Sequence, residues 1–204
     1  MTCNYSDSIK FDGKSHQFKR ALWFVIGINA IMFFLELSAG FIGQSQALKA
    51  DALDFLGDTV TYAMTLAVLG SSIQLRSKVA LVKGISLGLL SLGIIVATVY
   101  RLFVDASPAA SIMGSVALLA LIANLSSVLL LMKYRDGDAN VRSVWLCSRN
   151  DAIGNIAVMV AAGAVWLSAS AWPDLMVALL MASLFLHSSL QIISQARQEL
   201  KAAI

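Results

Sequence analysis

The sequence has few charged residues and few cysteines, and it lacks hydrolase motifs; each shortage excludes a class of protein. Only 13% of its 204 residues are charged and 58% are hydrophobic, whereas a soluble domain averages about 25% charged residues. A soluble domain is therefore excluded and an integral membrane protein is predicted. The two cysteines, Cys3 and Cys147, cannot form a framework of disulfides. Because no Ser–His or HExxH arrangement is present, we expect no enzyme activity.

The first twenty residues contain no apolar core, so we expect no cleavable signal peptide. Residues 1–20 are interpreted as a polar cytoplasmic segment. The net charge of +3 and the isoelectric point near 9.0 do not indicate a nucleic-acid partner. The basic residues stand in short clusters between apolar runs, which is typical of membrane topology.

Six apolar segments are long enough to span a bilayer, which takes about 20 mainly apolar residues. They predict an all-α membrane protein with a six-helix transport domain over residues 21–194 and a short polar helical tail over 195–204. Residues 76–78 and 133–143 are among the predicted loops. The six predicted spans are 21–42, 47–73, 79–102, 109–132, 144–167 and 173–193.

The distribution of Lys and Arg predicts the orientation of these helices. Of the 15 basic residues, only Lys49 and Arg101 fall on one side of the predicted bundle, and the other 13 fall on the opposite side. By the positive-inside rule, both termini are cytoplasmic. The partner of the apolar surface is the lipid bilayer, and the expected location is the bacterial inner membrane.

Three acids, Asp51, Asp54 and Asp58, lie inside the second span, where ionisable groups are costly and usually functional. Asp54 and Asp58 are four residues apart and so share one helix face, as do Cys147 and Asp151 on the fifth helix. At 1.5 Å per residue, the first pair lies roughly 10 and 16 Å from the outer end of its helix. If Asp138 caps the fifth helix, the second pair lies roughly 13 and 19 Å from the inner end. Both pairs are therefore predicted near the midplane, with Asp54 beside Asp151 and Asp58 beside Cys147.

Four donors that include one thiolate suit a tetrahedral transition metal. Zn²⁺ accepts carboxylate oxygen and thiolate sulfur, whereas Ca²⁺ and Mg²⁺ prefer larger all-oxygen shells. The thiolate also favours softer ions such as Cd²⁺, while three carboxylates leave Mn²⁺, Fe²⁺ and Co²⁺ open. The competing interpretation is that the acids are hydrogen-bonding contacts between helices and that Cys147 acts as a small hydrophobe.

Other polar residues in the spans are expected to line or support the ion path. Asn29 and Glu36 on the first helix share a face, and Asp51 precedes Asp58 by seven residues. We interpret these three residues as a polar pathway in preference to local hydrogen bonding. Asn155, one turn beyond Asp151, is expected to support that ligand.

Three stretches, at residues 29–40, 45–54 and 138–155, resemble the membrane domain of the cation diffusion facilitators. The first contains Phe33, Glu36 and Gly40, and the second reads Ser-Gln-Ala-Leu-Lys-Ala-Asp-Ala-Leu-Asp. The resemblance implies export of divalent metal in exchange for protons, a homodimer and no resident cofactor. The family's metal ligands follow the pattern His or Asp, three residues, Asp on helices two and five. Those positions hold Asp54, Asp58, Cys147 and Asp151.

The sequence departs from this family in three respects. Cys147 stands where the family usually has His, so zinc specificity does not transfer directly. The usual C-terminal cytoplasmic domain has no counterpart, and residues 133–143 contain no His. Two other functions stay open: a passive divalent-cation channel, which needs only rings of charge, and a membrane scaffold or regulator that transports nothing.

Overall fold

Six α-helices make up the described part of the chain, which in this computed structural model is residues 15–67, 73–103, 107–135 and 139–202. Within these ranges the side chains at 65, 73, 76, 79, 139–147, 150, 199 and 202 are not described. The described ranges contain no strand, so the all-α prediction is confirmed. The helices, together with one 3-10 turn at Met132–Tyr134, are α1 (His16–Ile42), α2 (Gln46–Ala67), α3 (Ile73–Arg101), α4 (Ala110–Leu131), α5 (Ala139–Ser168) and α6 (Trp172–Ala202).

The predicted helix ends are wrong in several places. Helix α3 begins at Ile73 rather than at 79, so residues 76–78 are helical and not a loop. Helix α5 begins at Ala139, so the predicted loop at 133–143 is helical in its second half. Hydropathy marks the residues that suit the hydrocarbon, whereas a helix continues into the polar interface wherever its backbone hydrogen bonds can still form.

Five of the six helices are long and apolar enough to cross a membrane, as judged over the described residues. The exception is α2, which has 22 residues and a length of about 33 Å, enough for a hydrocarbon core of about 30 Å. Its composition explains the exception, because four charged residues fall within ten positions of this helix: Lys49, Asp51, Asp54 and Asp58. The chain is a multi-pass membrane protein in which the second helix is unusually charged.

The helices pack mainly as three pairs, α1 with α2, α3 with α6 and α4 with α5. Glycines allow two of these pairs to approach closely. A Cβ atom added at Gly40 would lie 2.8 Å from Cγ of Lys49, and one added at Gly84 would lie 2.8 Å from Cγ1 of Ile193. Helix α2 also contacts α3, α5 and α6, which places it between the pairs.

Two apolar clusters pack the bundle on either side of its middle. The outer cluster, near the start of α2, joins α2, α4, α5 and α6. The inner cluster, near the end of α2, joins α1, α2 and the end of α4. Along α2, residues 51–58 lie between the two clusters, and along α5 residues 151–155 lie just before the outer cluster. The outer cluster includes Ala47, Leu48, Met113, Val158 and Ala161, and the inner cluster includes Phe18, Leu22, Tyr62, Leu131 and Tyr134.

The connections at 43–45 and 107–109 and the last turn of α3 meet at one end of the bundle, here called the outer end. Nη2 of Arg101 donates to the carbonyl oxygen of Gln44 at 2.6 Å. The backbone N–H of Ala109 donates to the carbonyl oxygen of Gly43 at 2.9 Å. Lys49 and Arg101 therefore belong to the same end, as the count of basic residues predicts.

Candidate metal site

Three carboxyl groups from two helices meet between the apolar clusters. Asp54 and Asp58 project from neighbouring turns of α2, and Asp151 of α5 forms hydrogen bonds with both of them. Asp58 is 8% exposed, while Asp54 and Asp151 are half-buried. The structure thus brings together three of the four predicted ligands, including the predicted neighbours Asp54 and Asp151.

The fourth predicted ligand, Cys147, has a described backbone but its side chain lies outside the described residues. It stands in α5 one helical turn before Asp151. Residues four apart on a helix share a face. Its role as a ligand stays a prediction from that spacing.

The three acids are held against one another rather than spread around a cation. A hydrogen bond between two carboxyl groups needs a proton on one of them, because an ionised carboxylate only accepts. Over the residues whose side chains are described, no group of three Asp, Glu, His or Cys residues is arranged to hold a metal ion. The oxygens that would bind a metal are in this arrangement occupied by contacts among the acids themselves.

Tyr62 closes the inner side of this cluster. Its hydroxyl donates to the Asp58 carboxylate and lies 3.3 Å from Oγ of Ser148 on α5. Tyr62 is fully buried among the residues of the inner cluster. Tyr62 was not among the predicted site residues, although it continues the four-residue spacing of Asp54 and Asp58.

Two further acids, Glu36 of α1 and Asp51 of α2, lie next to each other on the outer side of the cluster. Glu36 is 0% exposed and Asp51 is 1% exposed. The two carboxyl groups lie within hydrogen-bond range of each other, and neither oxygen of Glu36, nor Oδ2 of Asp51, has any other hydrogen-bond partner in the described part of the chain. Buried polar groups normally have partners, so these atoms suit a path on which ions or protons are temporary partners.

The two predicted asparagines differ from each other. Nδ2 of Asn29 donates to the carbonyl oxygen of Val25 at 2.8 Å. This is local hydrogen bonding within α1, the alternative to the predicted pathway role. Asn155 is fully buried, and neither of its amide atoms has a partner among the residues described. The expected support of Asp151 by Asn155 is therefore not a hydrogen bond in this structure.

A fully partnered acid stands at the outer end of the bundle. Asp174, in the first turn of α6, accepts from Oγ of Ser45 at 2.5 Å and from the backbone N–H groups of Gln46 at 2.8 Å and Ala47 at 3.1 Å. These are the first N–H groups of α2, which have no partner inside their own helix. Asp174 therefore caps α2 from another helix and fixes where α2 starts. This role has no signature in the sequence beyond an acid in a first helical turn.

Comparison with known proteins agrees with this architecture. The profile of the cation efflux transmembrane domain matches residues 22–201. The chain is 25% identical over 175 residues to the metal cation efflux system protein CzcD of Cupriavidus metallidurans, a match that covers 80% of the chain and 55% of the relative. It is 25% identical over 194 residues to the zinc transporter ZitB of Escherichia coli, covering 89% of the chain and 62% of the relative.

The matches therefore cover a little over half the length of these two relatives. The residues that the profile matches run from the first helix to the last and include all four predicted ligands. The helical architecture and the matched residues lead to one conclusion: the chain belongs to the cation efflux transmembrane domain family.

Proposed function

We propose that this chain exports divalent transition-metal ions from the cytoplasm of a bacterial cell, across the inner membrane, in exchange for protons. The metal would bind to Asp54 and Asp58 of α2 and to Cys147 and Asp151 of α5. The observation that carries the proposal is the joining of Asp151 to both Asp54 and Asp58 across two helices. Zn²⁺ is the proposed substrate, because it accepts oxygen and sulfur donors together, with Cd²⁺, Co²⁺, Fe²⁺ and Mn²⁺ as competitors.

Proton exchange follows from the chemistry of the same oxygens. The bonds among the three acids need bound protons, and metal binding needs deprotonated ligands. Protons and metal would therefore compete for one set of atoms. In an alternating-access cycle, metal would bind from the cytoplasm and incoming protons would displace it at the outer side. Two bundles or repeats usually rock against each other in such a cycle, and a homodimer is the proposed assembly.

The test is metal transport by the purified chain in proteoliposomes with an imposed pH gradient. We expect Zn²⁺ flux that follows the gradient, and a fall of about 100-fold or more for Asp58→Ala and Asp151→Ala, since even residues that only support a metal ligand change affinity 10- to 100-fold. The matched control is Ser38→Ala, which removes a polar group whose hydroxyl bonds only within α1, to the carbonyl oxygen of Phe34. Its flux should equal that of the wild type.

Each alternative predicts a different result. Flux that is independent of the pH gradient would indicate a channel, and absence of any metal binding would indicate a scaffold. Flux through Asp58→Ala and Asp151→Ala at the wild-type rate would refute the proposed site. Cys147→His tests the thiol separately, and an unchanged order of metals would show that Cys147 does not determine specificity.

A further inference from the structure

Lys83 is a basic residue inside an apolar membrane helix. It lies in the part of α3 from Ala80 to Arg101 that is apolar enough to cross the bilayer, and it is half-buried. A charged side chain there is costly and usually has a partner or a function. The positive-inside count treats Lys83 as one of 13 equivalent residues, but its surroundings separate it from the others.

The packing of α3 directs Lys83 towards α2. Ser189 of α6 donates to the carbonyl oxygen of Gly84 at 2.7 Å, and a Cβ atom added at Gly88 would lie 2.6 Å from Oγ of Ser189. This face of α3 is therefore held against α6. Lys83, Ser86, Leu87 and Leu90, which repeat at helical spacing, face a different neighbour.

That neighbour is the helix that carries two of the proposed ligands. Lys83 and the residues that share its face line a cavity of about 230 Å³ between α3 and α2. On the α2 side the lining includes Gly57, which adjoins Asp58, and Val60. Lys83 is close enough to Asp58 for a charge–charge interaction, which is weaker than the effects of burial, Tyr62 and Asp151 on that carboxyl group.

The cavity thus places a basic side chain beside the segment of α2 that carries Asp58. We propose that Lys83 is a tethered countercharge to Asp58, which stabilises the metal-free site and which an arriving divalent ion must displace. The inference rests on the proposed function, because it concerns the same site. It goes beyond that function by assigning a residue outside the ligand set that sets how readily metal is released.

The proposal predicts an unusual pair of effects. Without the competing charge, the metal-free site is less stable and metal binds more tightly, so Lys83→Gln should lower the Kd for Zn²⁺ at least about 5-fold, the lower range of coupling between sites. The same change should slow transport, because release no longer has the lysine to replace the metal. Tighter binding with slower turnover separates this role from a structural one, which would weaken both.

The experiment measures Zn²⁺ binding by competition with a chromogenic chelator, and transport in proteoliposomes, on the same preparations of the full chain. Lys83→Arg keeps the charge and should behave nearly as the wild type. Lys78→Gln is the matched control, since it removes an exposed lysine five residues earlier on α3, and its Kd should be unchanged.

Three outcomes would overturn the inference. The first is a Kd for Lys83→Gln equal to or weaker than that of the wild type, which would make Lys83 a structural or interfacial anchor. The second is an Arg variant that behaves like the Gln variant. The third is a failure to fold of both Lys83→Gln and its substitute Lys83→Met, which would assign Lys83 to folding. A wild-type chain that binds no metal would instead refute the proposed function itself.

Discussion

The outer end of α2 and its middle both bury polar groups, but the two regions differ in whether those groups have partners. At the outer end, Asp174 accepts three hydrogen bonds from residues 45–47, and Ser45 in turn accepts from the N–H of Leu48 at 3.0 Å. In the middle, both oxygens of Glu36, Oδ2 of Asp51 and Oδ2 of Asp151 have no partner within the described ranges other than another carboxyl group. Both regions centre on α2, and Glu36, Asp51 and Asp174 are all fully buried.

Under the proposed function, the difference separates polar groups that stabilise the fold from those that serve transport. A buried group with all its bonds made adds stability, whereas a buried group left unpaired costs about 1–3 kcal/mol. Unpaired groups persist where something else gives them a partner for part of the time. In this protein that partner is the proposed metal ion or proton. Substitutions that remove one polar group at a time should therefore have opposite effects in the two regions.

The largest effect is expected at the outer end. Asp174→Ala leaves three buried donors of residues 45–47 without an acceptor, so the free energy of unfolding should fall by about 3 kcal/mol. Asp174→Asn, which keeps one carbonyl oxygen, should lose less. Unfolding of the purified chain in detergent measures both.

The folded fraction of Asp174→Ala should still bind one equivalent of metal, because the ligands are untouched. A variant as stable as the wild type would show that the cap contributes nothing, and the contrast between the two regions would disappear. Loss of metal binding without loss of stability would mean that Asp174 acts on the site and not on the fold.

An intermediate effect is expected for Tyr62, which stands between the site and the inner apolar cluster. Tyr62→Phe removes the hydroxyl that donates to Asp58 while the ring keeps its apolar contacts. Metal affinity should fall about 10-fold, as it does when a group that orients a ligand is lost. The free energy of unfolding should change by about 1 kcal/mol or less.

Chelator competition and detergent unfolding on the same sample separate the two quantities. The control is Tyr134→Phe, another buried tyrosine of the inner cluster, which stands in the 3-10 turn after α4 and not on a helix that carries the acids. It should leave the affinity unchanged. A fall in stability of several kcal/mol without a change in affinity would place Tyr62 with the structural polar groups of the outer end.

Much of this arrangement could be predicted from sequence, but only along single helices. Apolar segments located the helices, and the spacing of Asp54 and Asp58 placed both acids on one face. The partners across helices were less accessible, because they depend on how closely helices approach. Gly84 and Gly88 let α3 pack closely on α6, while Lys83 lines a cavity with residues of α2. Asp174 contacts α2 from a position 128 residues away from Gln46. Neither contact has a signature in its own segment.

The smallest effect should come from Asn155, and the sign of the change in stability tests the contrast between the two regions. Asn155 and Asn29 are both buried, at 0% and 1% exposure. The amide of Asn29 donates to Val25, whereas the amide of Asn155 has no partner among the described residues. Replacing an unpaired buried amide by an apolar group of similar size is neutral or stabilising. Asn155→Leu should therefore raise the free energy of unfolding by up to about 1 kcal/mol, while Asn29→Leu should leave it level or lower it by a similar amount.

The transport rate of Asn155→Leu should fall severalfold, because the amide would no longer meet an ion or proton that moves along α5. A stability loss in Asn155→Leu equal to that in Asn29→Leu would mean that both amides serve the fold, and unpaired atoms would then no longer mark the transport path.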